Sequence, residues 1–365
     1  MIALKIFIIV VIASASLIEG LKLSSLEKTY EWGLKAYSGE RWTKCIEHFE
    51  ESIHLYKVYK TVVINCRHKC DSPGLTSVIK DDIDDFKIYE RFFSKRDCLL
   101  KCKEKDFEDV QIIRDIKEDV LFNMQARKPY EYLQLCYFQM YNLPKAASAA
   151  YTYLAANPND EAMNKNLKYY MDQPEVDIKE VVDLESEDYV LLYNLGRIAY
   201  RQNNWAEIVG NMEETLSDYL SSENDCRVEC ENQPDQEQSS EFSITISNHI
   251  AALLYCRQQC QDKLKKLDYD SGVEFLADVL NYLQISYYHL ERYEDAAKSV
   301  ASYLALLPND EDMLENKKIY STLIDIELFT ERSDIVYYFK RDNYEKKLLD
   351  IFHQGDDHNV SFDTI

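Results

Sequence analysis

Ten cysteines are the residues of this chain best suited to chemistry, and eight of them fall in four Cys-x3-Cys elements: Cys66/Cys70, Cys98/Cys102, Cys226/Cys230 and Cys256/Cys260. On a helix, residues i and i+4 share one face, a turn apart. Their Cβ vectors aim poorly for a bond within that helix. Two such helices running antiparallel are instead joined by two rungs. That geometry predicts Cys66–Cys102 with Cys70–Cys98, and Cys226–Cys260 with Cys230–Cys256. The segments 71–97 and 231–255 carry the polar, Pro or Gly residues a reversal needs, and 231–241 reads as a mobile loop. The spacing also falls within zinc-ligand range, but a secretory compartment, argued below, favours disulfides over zinc thiolates. Redox catalysis would prefer Cys-x2-Cys, which does not occur. Cys45 and Cys136 are left over, and both a bond between them and two free thiols stay open.

Two further constellations have metal-like spacing. His48-Phe-Glu50 and His289-Leu-Glu291 match the first part of a two-His-one-carboxylate iron site. Both lie in strongly helical stretches with no strand pattern to supply a distal His or a cosubstrate-binding Arg, so the expectation is two helix-surface or partly buried histidines. The sequence has no His-Glu-x-x-His, no Gly-rich phosphate loop and no Gly-x-Ser-x-Gly. No residue is therefore assigned a catalytic, cofactor-binding or metal-binding role. The chain is expected to be no enzyme and to need no cofactor.

The elements that position the cysteines come from a duplication. Tyr30-Glu-Trp-Gly33-Leu-Lys-Ala-Tyr37, followed by Trp42, recurs as Tyr193-Asn-Leu-Gly196-Arg-Ile-Ala-Tyr200, followed by Trp205. Tyr132-Leu-Gln134 recurs as Tyr282-Leu-Gln284, and Ala146-Ala147 as Ala296-Ala297. Pro158-Asn-Asp-Glu161-x-Met163 recurs as Pro308-Asn-Asp-Glu311-x-Met313. Apolar residues at three- and four-residue intervals over 26–37, 44–59, 130–141 and 145–156 predict helices. Small residues at Gly33, Cys45 and Ser52, with bulky Phe49, follow the tetratricopeptide pattern. The expected fold is all-α: a duplicated tetratricopeptide-like helical repeat, an α-solenoid stapled by paired disulfides. The expected segments are a signal peptide over 1–20, repeat halves over 21–175 and 176–325, and a helical segment and tail over 326–365.

The location follows from the N-terminus. Lys5, the apolar run Ile6–Ile12 and the small residues Ala13-Ser-Ala15 describe a secretory signal peptide. The run is shorter than the roughly 20 residues a membrane span needs, and no second long apolar stretch follows. The sequon Asn359-Val-Ser361 is a candidate glycosylation site. The chain ends Phe-Asp-Thr-Ile365, not a Lys-Asp-Glu-Leu-type retrieval signal. With 42 Lys+Arg against 65 Asp+Glu, the net charge of −23 argues against a nucleic-acid partner. Eight Gly and seven Pro in 365 residues argue against collagen-like or turn-rich β architectures. Of 28 Tyr, many fall at core spacing; others suit an exposed surface for peptide contact.

Together, Gly33…Trp42, the four Cys-x3-Cys pairs, Leu254-Tyr-Cys256-Arg-Gln-Gln-Cys260, and the tail Arg332-Ser-Asp-Ile-Val-Tyr-Tyr-Phe339 with Lys347-Leu-Leu-Asp-Ile-Phe352 resemble the leprecan family from Tyr30 to His353. The resemblance implies one of two kinds. Long members append an iron and 2-oxoglutarate dioxygenase domain to this helical region; this chain stops where that domain would begin, so the short non-catalytic kind is expected. That kind implies a helper in the endoplasmic reticulum lumen joining a collagen prolyl 3-hydroxylase and a cyclophilin-type prolyl isomerase on unfolded procollagen chains. A related short member implies support of a lysyl hydroxylase instead. The alternatives are a secreted extracellular-matrix binding protein and an enzyme with an unrecognised iron site at His48/Glu50 or His289/Glu291.

Overall fold

The computed structural model describes residues 25–71, 84–106, 116–231, 240–264, 269 and 271–354. The expected signal peptide, most of the 231–241 loop and Asn359 lie outside the described residues. Among the described residues there are fourteen α-helices and no strand. Contacts divide the chain between Ser186 and Glu187.

The first unit contains α1 (Leu26–Ser38), α2 (Trp42–Asp71), α3 (Asp84–Asp106), α4 (Glu118–Gln125), α5 (Lys128–Gln139), α6 (Leu143–Ala156) and α7 (Glu161–Met171). Helix α1 starts where the Ser25 side chain accepts from the Lys28 N–H, the usual N-cap bond. It buries Leu26, Tyr30, Gly33 and Ala36, a face of three- and four-residue steps. At Gly33 the axes come close: an added Cβ would sit 2.8 Å from Phe49 Cε1 on α2. Helices α5 and α6 close tightly because Ala146, Ala147, Ala149 and Ala150 are all fully buried. Asp160 caps α7 by accepting from the Met163 N–H at 2.9 Å, and Tyr170 at its far end donates to Gln134 Oε1 at 2.6 Å.

The segment after α7 belongs to this unit. Val176 is buried in its core, Arg127 Nη1 donates to Asp183 Oδ1 at 3.0 Å, and Tyr130 donates to Glu185. These contacts carry the first unit past 175/176, where the repeat pattern alone places the halves' boundary.

The second unit repeats the plan with α8 (Asp188–Arg201), α9 (Trp205–Glu229), α10 (Phe242–Lys263), α11 (Gly272–His289), α12 (Tyr293–Leu306) and α13 (Glu311–Tyr320). A further helix, α14 (Ser333–Gln354), packs on α10 and α12. An added Cβ at Gly196 would meet Met212, Asp310 accepts from the Met313 N–H at 2.8 Å, and Tyr320 donates to Gln284. Even the strained turns recur. Glu40 (φ 53°) and Asn203 (φ 55°) reverse the first helix pair of each unit, Tyr141 (φ 58°) and Glu291 (φ 59°) the later pair. A left-handed non-glycine residue costs about 1–3 kcal/mol, so its recurrence marks turns whose geometry is dictated by the packed helices on either side.

Candidate functional site

The long helices of each unit end in a cross-linked hairpin. In the first, α2 and α3 bring Cys66 to Cys102 and Cys70 to Cys98, with Cα–Cα separations of 5.9 and 5.6 Å. In the second, α9 and α10 bring Cys226 to Cys260 and Cys230 to Cys256, both at 5.8 Å. All four pairs stand at disulfide distance, two rungs to a hairpin. A fifth pair joins Cys45 on α2 to Cys136 on α5 across 91 residues of sequence, Cα–Cα 6.3 Å. Sequence reasoning left these two open because they have no counterparts in the second half. The usable signal was their register: Cys45 lies in step with buried Phe49 and Ser52, and Cys136 with buried Leu133 and Tyr137. In the second unit the matching positions hold Ile208 and Ser286, both fully buried.

A helix packed on the second hairpin, α14, brings a charge network that patterning did not reveal. Arg227, between Cys226 and Cys230, is buried and donates to Glu223 Oε1 at 3.3 Å and to Glu345 on α14. Arg341 of α14 donates to Glu223 in return. Gln258 Nε2 donates to Glu345 Oε2 and Gln261 Nε2 to Asp342 Oδ1, each at 2.9 Å. Burial pushes the Glu223 carboxyl above its ordinary range, and Arg341 and Arg227 oppose that shift. Removing one member of such a network leaves a buried charge without its partner.

The candidate iron residues are committed elsewhere. His48 and Glu50, two apart on α2, diverge by about 200° around the helix axis. The His48 ring lies 5.6 Å from Trp32 on α1, and burial holds it below the usual imidazole range. Glu50 accepts from the Tyr137 hydroxyl at 2.6 Å. His289 ends α11 stacked on Trp205, ring centroids 3.9 Å apart, and Glu291 occupies the left-handed turn beyond it. Neither pair shares a face. Among the described residues, no three His, Cys, Asp or Glu are grouped to hold a metal ion.

Tyrosines do more than fill the core. The Tyr137–Glu50 bond recurs as Tyr287 donating to Glu213 at 2.8 Å, where Arg332 also donates to both Glu213 oxygens at 2.8 and 2.9 Å. Burial first, then the carboxylate, raises both phenols. Tyr193 and Tyr269 converge on Asp278 Oδ2, each at 2.6 Å. Among the described residues, no helix is long and apolar enough to cross a membrane.

Two units of stacked helix pairs, each with a doubly cross-linked hairpin, define a tetratricopeptide-like repeat protein. The leprecan family TPR-like repeat region matches residues 25–324. The chain belongs to the leprecan family. It is 30% identical to human cartilage-associated protein over 90% of this chain and 83% of that one. Against human endoplasmic reticulum protein SC65 the identity is 28%, over 92% of this chain and 80% of the relative. Against chicken prolyl 3-hydroxylase 1 it is 27%, over 87% of this chain and 45% of the relative.

Proposed function

We propose that this chain is a non-catalytic scaffold of a collagen-modifying assembly in the endoplasmic reticulum lumen. It holds a prolyl 3-hydroxylase with a cyclophilin-type prolyl isomerase, or a lysyl hydroxylase, on unfolded procollagen. The observation that carries the reading is the fate of the His/Glu pairs: each is taken up in ring packing, a tyrosine hydrogen bond or a strained turn, while the shared family supplies the collagen context. Oxidised rungs suit that lumen, with removal of residues 1–20 as the entry step. Affinity isolation of the chain from secretory cells under native conditions is expected to recover a prolyl or lysyl hydroxylase. Recovery of no hydroxylase, with the chain accumulating in the medium, would replace this reading with a secreted matrix-binding one. The purified chain, given ferrous iron and 2-oxoglutarate, is expected to show no decarboxylation; turnover abolished by His48→Ala or His289→Ala would make it an enzyme.

A further inference from the structure

Helix α14 wears its polarity inside out. The face turned to the second unit holds Asp342 and Glu345, both buried, beside Ile335 and Tyr338. Tyr337, Tyr344, Leu348 and Ile351, each 53–67% exposed, lie on the opposite face. At about 100° per residue these four fall within about 60° of arc and run for about 21 Å. An apolar stripe of that length left in water marks an interaction surface.

One edge of the stripe is shaped and charged. There Val336, Phe339, Lys340, Tyr344 and Lys347 line a cleft of about 310 Å³ together with Ala305 of α12. Glu331 is the one carboxylate in that lining, against the two lysines. Among the described residues neither lysine stands in an ion pair, whereas neighbouring Lys346 is held by Asp342 at 2.7 Å. Lys347 instead lies over the Tyr344 ring, 5.7 Å from its centroid.

A second copy fits this surface poorly. A two-fold pairing uses the same patch on both chains. Run antiparallel, it sets lysine edge against lysine edge. Run parallel, it sets the lysines towards Arg341, on an edge whose Glu345 is already taken by Arg227. Each copy also brings a net charge of −23, which opposes an anionic membrane as well. Two lysines seven residues apart match carboxylates at the same spacing on a facing helix, as flanking charges do in paired helices. We propose that the outer face of α14 docks an amphipathic helix of a partner protein. That helix is apolar at i, i+3 or i+4, and i+7, bears carboxylates seven apart that meet Lys340 and Lys347, and seats one bulky apolar side chain in the cleft. This deepens the scaffold reading and rests on it, giving one partner-facing surface its chemistry.

The test uses the full-length oxidised chain, made in secretory cells with photoreactive p-benzoylphenylalanine in place of Tyr344. Irradiation and peptide sequencing by mass spectrometry are expected to yield a cross-link to another protein, at a segment with that apolar period and Asp or Glu seven apart. Lys340→Glu with Lys347→Glu is expected to lower the yield about tenfold or more, and Leu348→Ser with Ile351→Ser likewise. Unchanged far-UV circular dichroism and melting temperature would show that both variants still fold. A cross-link confined to lipid, to this chain's own peptides or to a second copy overturns the proposal, the last two told apart by mixing isotope-labelled and unlabelled chains. So does no cross-link, a captured segment without that pattern, or a yield indifferent to the charge reversal. Hydroxylase recovery is a separate readout: a recovered hydroxylase with no cross-link from position 344 removes this docking site and leaves the scaffold reading standing. A cross-linked acidic helix with no hydroxylase recovered retires the scaffold reading and keeps the site.

Discussion

At the level of single residues, the duplication supplies an internal control. Gly33 and Gly196 occupy the same place, but what a side chain would meet differs. At Gly33 it meets the Phe49 ring, fully buried, stacked on Tyr132 at 5.2 Å and edge-on to Tyr30 at 5.8 Å. At Gly196 the nearest atom is the terminal methyl of Met212, the free end of a flexible side chain. Gly33→Ala is therefore expected to cost about 1–3 kcal/mol by overpacking. Gly196→Ala should lie within about 1 kcal/mol of the parent, since alanine's helix preference offsets a small shift of Met212. Urea midpoints of the two variants check the ordering; equal losses would mean that the neighbour's stiffness is irrelevant. Tyr137 and Tyr287 show where sequence reading stops at this scale. Their spacing marks them as core, but a pattern of apolar positions carries no information about a hydroxyl, so the bonds to Glu50 and Glu213 were not legible.

For the elements, the helices that hold each unit together can be separated by their ties. Glu345→Ala leaves Arg227 buried with less of its counter-charge, and is expected to destabilise by about 3–5 kcal/mol. Glu345→Gln, which keeps a hydrogen-bond acceptor, should cost less. Thermal melting of both, with proteolysis to follow release of α14, measures the difference; equal melting temperatures would remove the network as the anchor. The Cys45–Cys136 bond is tested by borrowing from the other unit. Cys45→Ile with Cys136→Ser recreates the Ile208/Ser286 pair, so packing is kept while the cross-link goes. A loss of about 2–4 kcal/mol is expected from freeing the unfolded chain, with non-reducing peptide mapping to verify the parent bond. Helix pairs, small-residue contacts and the two-unit plan were all readable because each rests on local periodicity and a repeated motif. The network on Arg227 was not. It joins residues 118 apart in sequence, and among the described residues α14 has no counterpart helix in the first half from which its role could be inferred. Cys45 and Cys136 escaped for the same reason: a singular feature has no repeat to announce it.

Taken as a whole, the molecule is held by an unusual number of buried phenols, and this sets how it responds to alkali. Burial drives Tyr30, Tyr170 and Tyr320 up to about 12 from an ordinary value of 10.0, and Tyr303 to about 12 by burial and Asp310. Tyr130, Tyr189, Tyr193, Tyr219 and Tyr338 are pushed higher still, burial being the first cause in each. A phenol raised in the folded state keeps its proton where the unfolded chain releases it. Folding therefore binds the extra proton, and stability must fall as pH rises. The contribution is complete below pH 10 and drains away as pH climbs towards 12 and beyond. Many sites share this sign, so their losses accumulate over one narrow interval, and the net charge of −23 adds self-repulsion in the same direction. The buried set should then ionise in one cooperative step coincident with loss of helix. Absorbance at 295 nm recorded beside far-UV circular dichroism follows both. A single smooth titration of every tyrosine near pH 10, with helix content unchanged, would show that these hydroxyls are reached by solvent in the folded protein.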